Sequence, residues 1–179
     1  MAGLLDQPEQ APAYRSIMEK LKAKIPNAHP NTVAGILGNI HVETGGTFDP
    51  EQKQKGGNGF GLFQFDYKGG KKGTGMRGAY EAHIKAKGIP NSADAQLDFM
   101  IDSVYNEKPS YDIGAGNAKV LRESFANGDP ADVSDKFQKL FERPGVEHRD
   151  RRQRATLFYA TEGQESPLRK NLLDWSITE

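Results

Sequence analysis

Residues 34–46, which read AGILGNIHVETGG, decide the expected fold. Their apolar side chains recur with helical spacing, and Gly45-Gly46 ends the pattern, because glycine tolerates the left-handed geometry found at helix C-termini. At about 100° per residue, Glu43 lies within about 20° of Ile36 around the helix axis. Its carboxyl group is therefore expected at the edge of the apolar stripe, in the last helical turn.

This position has a chemical consequence for Glu43. Partial burial and the negative end of the helix dipole both disfavour the ionised carboxylate, so its pKa is expected to be raised. A carboxylic acid that stays protonated near neutral pH can protonate the leaving oxygen of a glycosidic bond. An ordinary solvated acid at a helix end is the alternative interpretation.

Helical periodicity surrounds this stretch. The stretch is predicted to end a helix over residues 30–44, and an apolar stripe from Tyr14 to Ile25 predicts an earlier helix that stops at Pro26. Later helices are predicted at 76–87, from Asn91-Ser92 to Val104, at 118–126, from Asp129-Pro130 to Pro144, at 146–161, and near Leu168, Leu172 and Trp175.

The segment between residues 45 and 75 has no helical period. Gly56-Gly57-Asn58-Gly59 is a turn signal, and residues 60–65 have the aromatic content of a short strand. The expected fold class is therefore α+β and predominantly helical, with a small β-hairpin layer between helices. Residues 1–179 are expected to form a single domain, with residues 1–11 as an N-terminal arm.

Composition narrows the function classes. The 24 basic and 24 acidic residues give a net charge of +0, which disfavours a nucleic-acid partner. The absence of cysteine excludes disulfides, thiolate zinc sites and a cysteine nucleophile, and the four histidines lack metal-ligand spacing. No cofactor is implied. The chain has no signal-like start and no apolar run of roughly 18 residues, so we expect it to be made as a soluble protein in the cytoplasm, with no membrane insertion. We also expect it to be a monomer.

A second motif follows the first by about 16 residues. Residues 59–65 read GFGLFQF, in which glycines allow close backbone approach to a ligand and Gln64 can both donate to and accept from sugar hydroxyls or amides. Aromatic rings offer apolar faces to sugar C–H groups. A glycine-rich hairpin with core aromatics would have the same sequence, so this motif alone is weak.

Together the motifs resemble the lysozyme superfamily, and more narrowly the phage tail lysozyme-type family. That family shares a G-[IL]-x-G-N-[IL]-x-x-E helix, here residues 35–43, and a G-x-G-[IL]-x-Q-[FW] strand, here residues 59–65. Phe141-Glu142-Arg143-Pro144, followed by an arginine-rich helix, resembles the family's late F-E-x-P block. The three blocks span roughly residues 30 to 160 in order.

The resemblance implies a peptidoglycan-degrading enzyme of a bacteriophage. Glu43 is its general acid, the glycan strands are its substrate, and the expected reaction is hydrolysis of the bond between N-acetylmuramic acid and N-acetylglucosamine. The layer with Gly61 and Gln64 is expected to form one wall of the sugar cleft, with sugar contacts from Gln64, Phe65 and Tyr67. Glu142 and Arg143 are interpreted as fold-stabilising, an acid capped by a neighbouring cation.

The second carboxylate stays open. A retaining or inverting glycosidase needs one near the acid, and Asp49, Glu51 and Asp66 are the candidates. Asp49 could equally form a turn before Pro50, and Asp66 could be a solvated strand-end acid. A lytic transglycosylase would need only Glu43. His41 lies some 200° from Glu43 on the helix and is interpreted as a surface or packing residue.

The biological role also has more than one interpretation. In the non-catalytic interpretation, the protein is a wall-binding or virion structural module on a lysozyme scaffold. An enzyme would fit either an endolysin released through a holin for bacteriolysis, with antimicrobial action, or a virion-mounted lysozyme associated with phage tail proteins. Two clusters of basic residues are each interpreted as either a solvated surface or a surface that attracts an anionic cell wall. The first cluster is Lys53, Lys55, Lys68, Lys71, Lys72 and Arg77, and the second is Arg149, Arg151, Arg152 and Arg154.

Overall fold

A computed structural model of the chain describes residues 11–26, 29–142 and 149–162. These ranges contain seven α-helices: α1 (Ala11–Lys24), α2 (Pro30–Thr44), α3 (Gly75–Lys87), α4 (Ala93–Tyr105), α5 (Ala115–Asn127), α6 (Pro130–Phe137) and α7 (Arg149–Glu162). The fold is therefore predominantly helical, as predicted. The N-terminal arm, the helix end at Pro144, the helix start at 146 and the short helix near Trp175 lie outside the described residues.

The ends of the helices follow their local sequence. At the end of α2, Gly45 adopts a left-handed conformation (φ 59°), and its N–H bonds to the carbonyl oxygens of His41 and Val42. The side chain of Asp129 accepts a hydrogen bond from the backbone N–H of Asp132 at 2.7 Å, so α6 begins with the predicted Asp129-Pro130 cap. None of the seven helices is long and apolar enough to cross a membrane.

Helix α2 lies at the centre of the described chain because its small residues let neighbouring helices approach closely. A Cβ atom on Gly35 would lie 2.7 Å from the side chain of Val133 in α6, and one on Gly38 would lie 2.9 Å from backbone atoms of Thr156 in α7. The buried amide of Asn39 donates to the backbone carbonyl oxygen of Ser134 at 3.1 Å. The glycines and the asparagine of the first motif thus pack α6 and α7 against α2.

A single π-helical turn, Gln138–Glu142, continues α6. Its residue Phe141 is fully buried, stacks on Phe137 with ring centroids 4.8 Å apart, and meets the edge of Phe63 at 5.6 Å. These ring contacts fix the backbone that leads directly into Glu142.

The predicted β-hairpin layer is not confirmed. A turn is present, although at residues 54–57, where the N–H of Gly57 bonds to the carbonyl oxygen of Gln54. Residues 29–142 contain only one isolated antiparallel bridge, between Lys53 and Phe60, and no strand. Beyond Phe60 the chain turns, because Gly61 (φ 76°) and Gln64 (φ 46°) adopt left-handed conformations. The backbone N–H of Leu62 then bonds to the side chain of Gln96 at 2.7 Å instead of to a neighbouring strand.

Candidate active site

Glu43 occupies the last turn of α2 and is partly buried, as the helical spacing predicts. Burial raises the pKa of its carboxyl group above the ordinary glutamate value, and the positive charge of Arg152 opposes this rise. Desolvation therefore dominates, and the pKa of Glu43 lies above the ordinary glutamate value.

Glu142 is the second carboxyl group of this region, although its sequence motif predicts a role in fold stability. Both of its carboxylate oxygens are shielded from solvent and have no hydrogen-bond partner within the described ranges. Burial raises its pKa well above the usual range, the charge of Glu43 raises it further, and Arg152 opposes both effects. Arg143, the expected capping cation, lies outside the described residues.

Arg152 supplies the positive charge that acts on both glutamates. Its side chain is only 1% exposed, and one guanidinium nitrogen, Nη2, lies 2.8 Å from Oδ1 of Asp135 in α6. Its Nε and Nη1 are buried without a partner in the described part of the chain. The expectation of a solvated arginine surface on this helix is therefore wrong at Arg152, because the close contact of α7 with α2 at Gly38 turns that position inward.

A cleft of about 410 Å³ runs beside Glu142. It is lined by one face of the glycine-rich segment together with the residues around the π-helical turn: Phe63, Gln64, Phe65, Asp66, Tyr67, Lys68, Gly69, Gly75, Met76, Tyr111, Phe141 and Glu142. Four of the residues singled out from the sequence, Gln64 to Tyr67, thus share one cleft, while Glu43, Asp49 and Gly61 are not among its lining residues.

Gln64 and Gly61 are joined to each other. The side-chain Nε2 of Gln64 donates to the carbonyl oxygen of Gly61 at 2.8 Å, and its Oε1 is buried without a partner among the described residues. Gly61 itself is buried, and a Cβ atom there would lie within 2.7 Å of three side-chain atoms of Gln96. The structure therefore places Gly61 behind the cleft wall, as a close-packing position.

The two aromatic residues differ in how much surface they offer. The ring of Phe65 is 1% exposed and packs against Tyr80 and Phe99, with centroids 5.0 and 5.3 Å away. Tyr67 is 9% exposed and its hydroxyl donates to Oε1 of Glu81. Phe65 thus belongs to the core beneath the cleft, and Tyr67 lies at its margin.

Arg77 is held between two rings at this margin. Its guanidinium carbon lies 4.7 Å from the ring centre of Tyr67 and 4.8 Å from that of Phe60, and its Nε lies 3.3 Å from Glu81. Among the basic residues predicted to attract a wall, Arg77 is therefore already engaged, whereas the five lysines of the same segment are exposed.

The three candidates for the second carboxylate lie in different surroundings. Asp66 is exposed, lines the cleft, and accepts a hydrogen bond from the N–H of Tyr67 at 2.6 Å. Asp49 is exposed and accepts from the N–H of Glu51 at 2.8 Å, which is a turn-forming contact. Glu51 itself is bonded to the side chain of Asn91. Of the three, only Asp66 shares the cleft with Glu142.

His41 faces away from this region. Its Nδ1 lies 3.0 Å from the hydroxyl of Tyr159, and its ring packs near Phe48 with centroids 6.0 Å apart, so it is a packing residue. Within residues 11–26, 29–142 and 149–162, no group of three histidine, aspartate or glutamate side chains is placed to hold a metal ion.

The F-E-x-P block was the signal by which Glu142 could have been found. The block carries part of the family resemblance, but sequence spacing does not bring residue 142 near residue 43, whereas the packing of α6 against α2 does. The arrangement of two carboxyl groups removed from water, one buried guanidinium and a cleft lined partly by aromatic residues suits acid catalysis on a polar ligand.

The comparison with known families agrees with this chemistry. The model of the phage tail lysozyme family matches residues 13–161 of the chain. Among curated proteins, none matches the sequence.

Proposed function

The chain belongs to the phage tail lysozyme family, and we propose that it is a muramidase with Glu43 as its general acid. Membership of this family makes it a lysozyme-like enzyme directed at the bacterial cell wall. The finer proposal is that it hydrolyses the β-1,4 bond between N-acetylmuramic acid and N-acetylglucosamine in peptidoglycan.

One observation carries the proposal: Glu43 is partly buried and its pKa is raised by that burial. In the proposed step, the O–H of Glu43 passes its proton to the glycosidic oxygen while the bond from that oxygen to C1 breaks. The electron pair leaves with the oxygen, and Glu43 becomes a carboxylate that the nearby charge of Arg152 stabilises.

A water molecule then attacks C1 and loses a proton to a base. We propose Asp66 for this base, because it is exposed and lines the cleft, whereas Asp49 and Glu51 are not among the residues that line it. Gln64 and Tyr67 are the proposed sugar contacts on the cleft wall, with Phe65 supporting that wall from the core and Gly61 packing behind it.

The decisive variant is Glu43→Gln, which removes the transferable proton and keeps the shape of the side chain. We expect it to abolish the loss of turbidity of peptidoglycan suspensions while the thermal melt stays nearly unchanged. Glu123→Gln is the matched control, since Glu123 is exposed on α5 and pairs with Lys119 at 3.8 Å. Full lytic activity in Glu43→Gln would refute the assignment.

The products decide between the proposed hydrolysis and two competing functions. Hydrolysis releases reducing ends, whereas a lytic transglycosylase, in which the muramyl 6-hydroxyl attacks, leaves 1,6-anhydromuramic ends that mass spectrometry detects. A non-catalytic wall-binding module would sediment with peptidoglycan, release neither product, and tolerate substitution of Glu43.

We also propose that residues 1–179 form one catalytic domain that works as a monomer on peptidoglycan during a phage life cycle. The virion-mounted form would associate with tail proteins, and the endolysin form would reach the wall through a holin. Incorporation into purified virions, tested with an antibody against this chain, separates the two.

A further inference from the structure

Glu142 combines three features that the proposed function does not use. It borders the cleft, both of its carboxylate oxygens are shielded from solvent, and neither oxygen has a hydrogen-bond partner within the described ranges. An ionised carboxylate in such a place would be unfavourable, because neither water nor a hydrogen-bond donor contacts its oxygens, and the positive charge of the nearby Arg152 opposes the effect of burial without overcoming it. Glu142 is therefore held as the neutral carboxylic acid.

Ring contacts fix the backbone that leads into Glu142, whereas no hydrogen bond within the described ranges holds its carboxyl group. The preceding Phe141 is locked by ring contacts with Phe137 and Phe63. The carboxyl group itself forms none of the salt bridges found among the described residues, and Nη2 of the nearby Arg152 is bonded to Asp135. Rotation of the carboxyl group toward the cleft would therefore break no hydrogen bond.

A neutral carboxylic acid has one O–H group that can donate a hydrogen bond. In Glu142 this O–H group has no acceptor within the described ranges. A glycan of N-acetylated sugars presents carbonyl and hydroxyl oxygens that accept such a bond. A ligand in the cleft can therefore supply the partner that the protein does not, which removes the penalty of an unsatisfied buried donor.

We propose that Glu142 is a sugar-binding residue whose neutral carboxyl group donates a hydrogen bond to an acceptor oxygen of an N-acetylated glycan in the cleft. The inference rests on the proposed function, from which the class of ligand is taken. It assigns different tasks to the two glutamates: Glu43 gives up its proton during the reaction, and Glu142 keeps its proton throughout.

The test measures binding of the tetramer of β-1,4-linked N-acetylglucosamine by titration calorimetry. The Glu43→Gln background prevents cleavage of the tetramer. In that background, Glu142→Leu removes the donor and is expected to weaken binding roughly three- to tenfold, the effect of one lost hydrogen bond. Glu142→Gln keeps a neutral donor of similar shape and is expected to recover most of that loss, while Glu123→Gln serves as the surface control.

A second readout does not depend on whether Glu142→Leu folds. In the same background, infrared difference spectra recorded with and without the tetramer should contain the C=O stretch of a protonated carboxyl group that shifts when the sugar binds. This band should be missing from Glu142→Gln. An unshifted band, or an affinity that stays the same in Glu142→Leu, would overturn the inference.

The outcomes also separate this inference from the proposed function. If Glu142→Gln with Glu43 intact binds the tetramer normally but loses lytic activity as completely as Glu43→Gln, then Glu142 transfers a proton and the neutral-donor role is wrong. Lytic activity that survives in Glu43→Gln would instead refute the general acid, whatever the tetramer binding of the Glu142 variants.

Discussion

At the scale of single residues, the site is a small buried group of charges that do not balance if all are ionised. Arg152 carries one positive charge and is already bonded to Asp135, while Glu43 and Glu142 both lie within its electrostatic reach. Full ionisation would leave excess negative charge in a poorly solvated place. Protonation of the glutamates relieves this excess, so the environment itself prepares an acid.

The pH dependence of activity follows from the raised pKa of Glu43. A general acid works only in its protonated form, so on the high-pH side of the profile kcat/KM should fall as pH rises through the raised pKa of Glu43. This fall is expected above the ordinary glutamate value of about 4.3. Release of reducing ends from purified sacculi between pH 4 and pH 9 measures the profile. A fall of kcat/KM centred at or below the ordinary glutamate pKa would contradict the assignment of Glu43 as the general acid.

Because of Glu142, the stability of the fold should also decrease as pH rises. Its pKa is higher in the folded than in the unfolded chain, so the folded state binds more protons between the two values. The stabilisation is complete below the unfolded pKa and is lost as pH rises towards the folded pKa, at up to about 1.4 kcal/mol per pH unit for one group.

Glu142→Gln should remove this loss, because glutamine does not titrate. Relative to the unsubstituted chain, the variant should gain stability as pH rises from 4 to 8, and urea denaturation at each pH measures the free energy of unfolding. Glu123→Gln should show no such trend. A difference between Glu142→Gln and the unsubstituted chain that stays constant with pH would mean that Glu142 is ionised in the folded protein.

At the scale of elements, the site depends on how closely α6 and α7 pack on α2. Glu142 ends the π-helical turn after α6, Arg152 lies in α7, and Glu43 lies in the last turn of α2. The contacts at Gly35 and Gly38 leave no room for a side chain. The glycines of the first motif therefore serve the site indirectly, by setting the distances between three helices.

Substitution of Gly38 tests this dependence. A Cβ atom there would lie 2.0 Å from Oγ1 and 2.9 Å from backbone atoms of Thr156, so Gly38→Ala must push α7 away. We expect this variant to lose about 1–3 kcal/mol of stability, because overpacking outweighs the helix propensity of alanine. Its activity should fall as well, since Arg152 moves with α7.

Gly116→Ala is the matched control for that substitution. Gly116 is exposed in α5, and a Cβ atom there would have no neighbour within 4 Å. Alanine should therefore stabilise the protein by up to about 1 kcal/mol through helix propensity alone. Urea denaturation of Gly38→Ala and Gly116→Ala measures the two changes in the free energy of unfolding. Equal stabilisation by the two alanines would show that the contact between α2 and α7 is loose.

Elements whose ends are set by neighbouring residues could be predicted from the sequence. Elements whose structure depends on contacts with residues far away in the sequence could not. The bounds of α2 follow from its apolar stripe and from Gly45, and the Asp129-Pro130 cap sets the start of α6. The predicted strand at 60–65 does not form: the chain turns at Gly61 and Gln64, and the backbone N–H of Leu62 bonds to the side chain of Gln96, which lies 34 residues further along the sequence. The burial of Arg152 and Glu142 depends likewise on helix packing that local spacing does not encode.

At the scale of the whole molecule, charge is balanced overall but uneven on the surface. The net charge is +0, yet Lys68 lines the cleft, and Lys71 and Lys72 follow it on exposed backbone. An anionic cell wall should be attracted to this side of the molecule, and salt should screen that attraction.

The double variant Lys71→Gln, Lys72→Gln should therefore raise KM for whole peptidoglycan roughly twofold or more at low salt, without a matching change in kcat. The effect should disappear at high salt. The control is Lys22→Gln, Lys119→Gln, which removes two exposed charges on α1 and α5. An equal rise in KM for both pairs would mean that only net charge matters and that the lysines beside the cleft have no special role.

The most direct test of the central claim is a carbon-13 NMR titration of the glutamate carboxyl groups, with Glu43→Gln used to assign the Glu43 signal. We predict that the pKa of Glu43 lies above the ordinary glutamate value of about 4.3 and agrees with the pH at which kcat/KM falls. A Glu43 signal that titrates at or below the ordinary glutamate value would contradict its role as the general acid, because the residue would then carry no proton to give at the pH of the reaction.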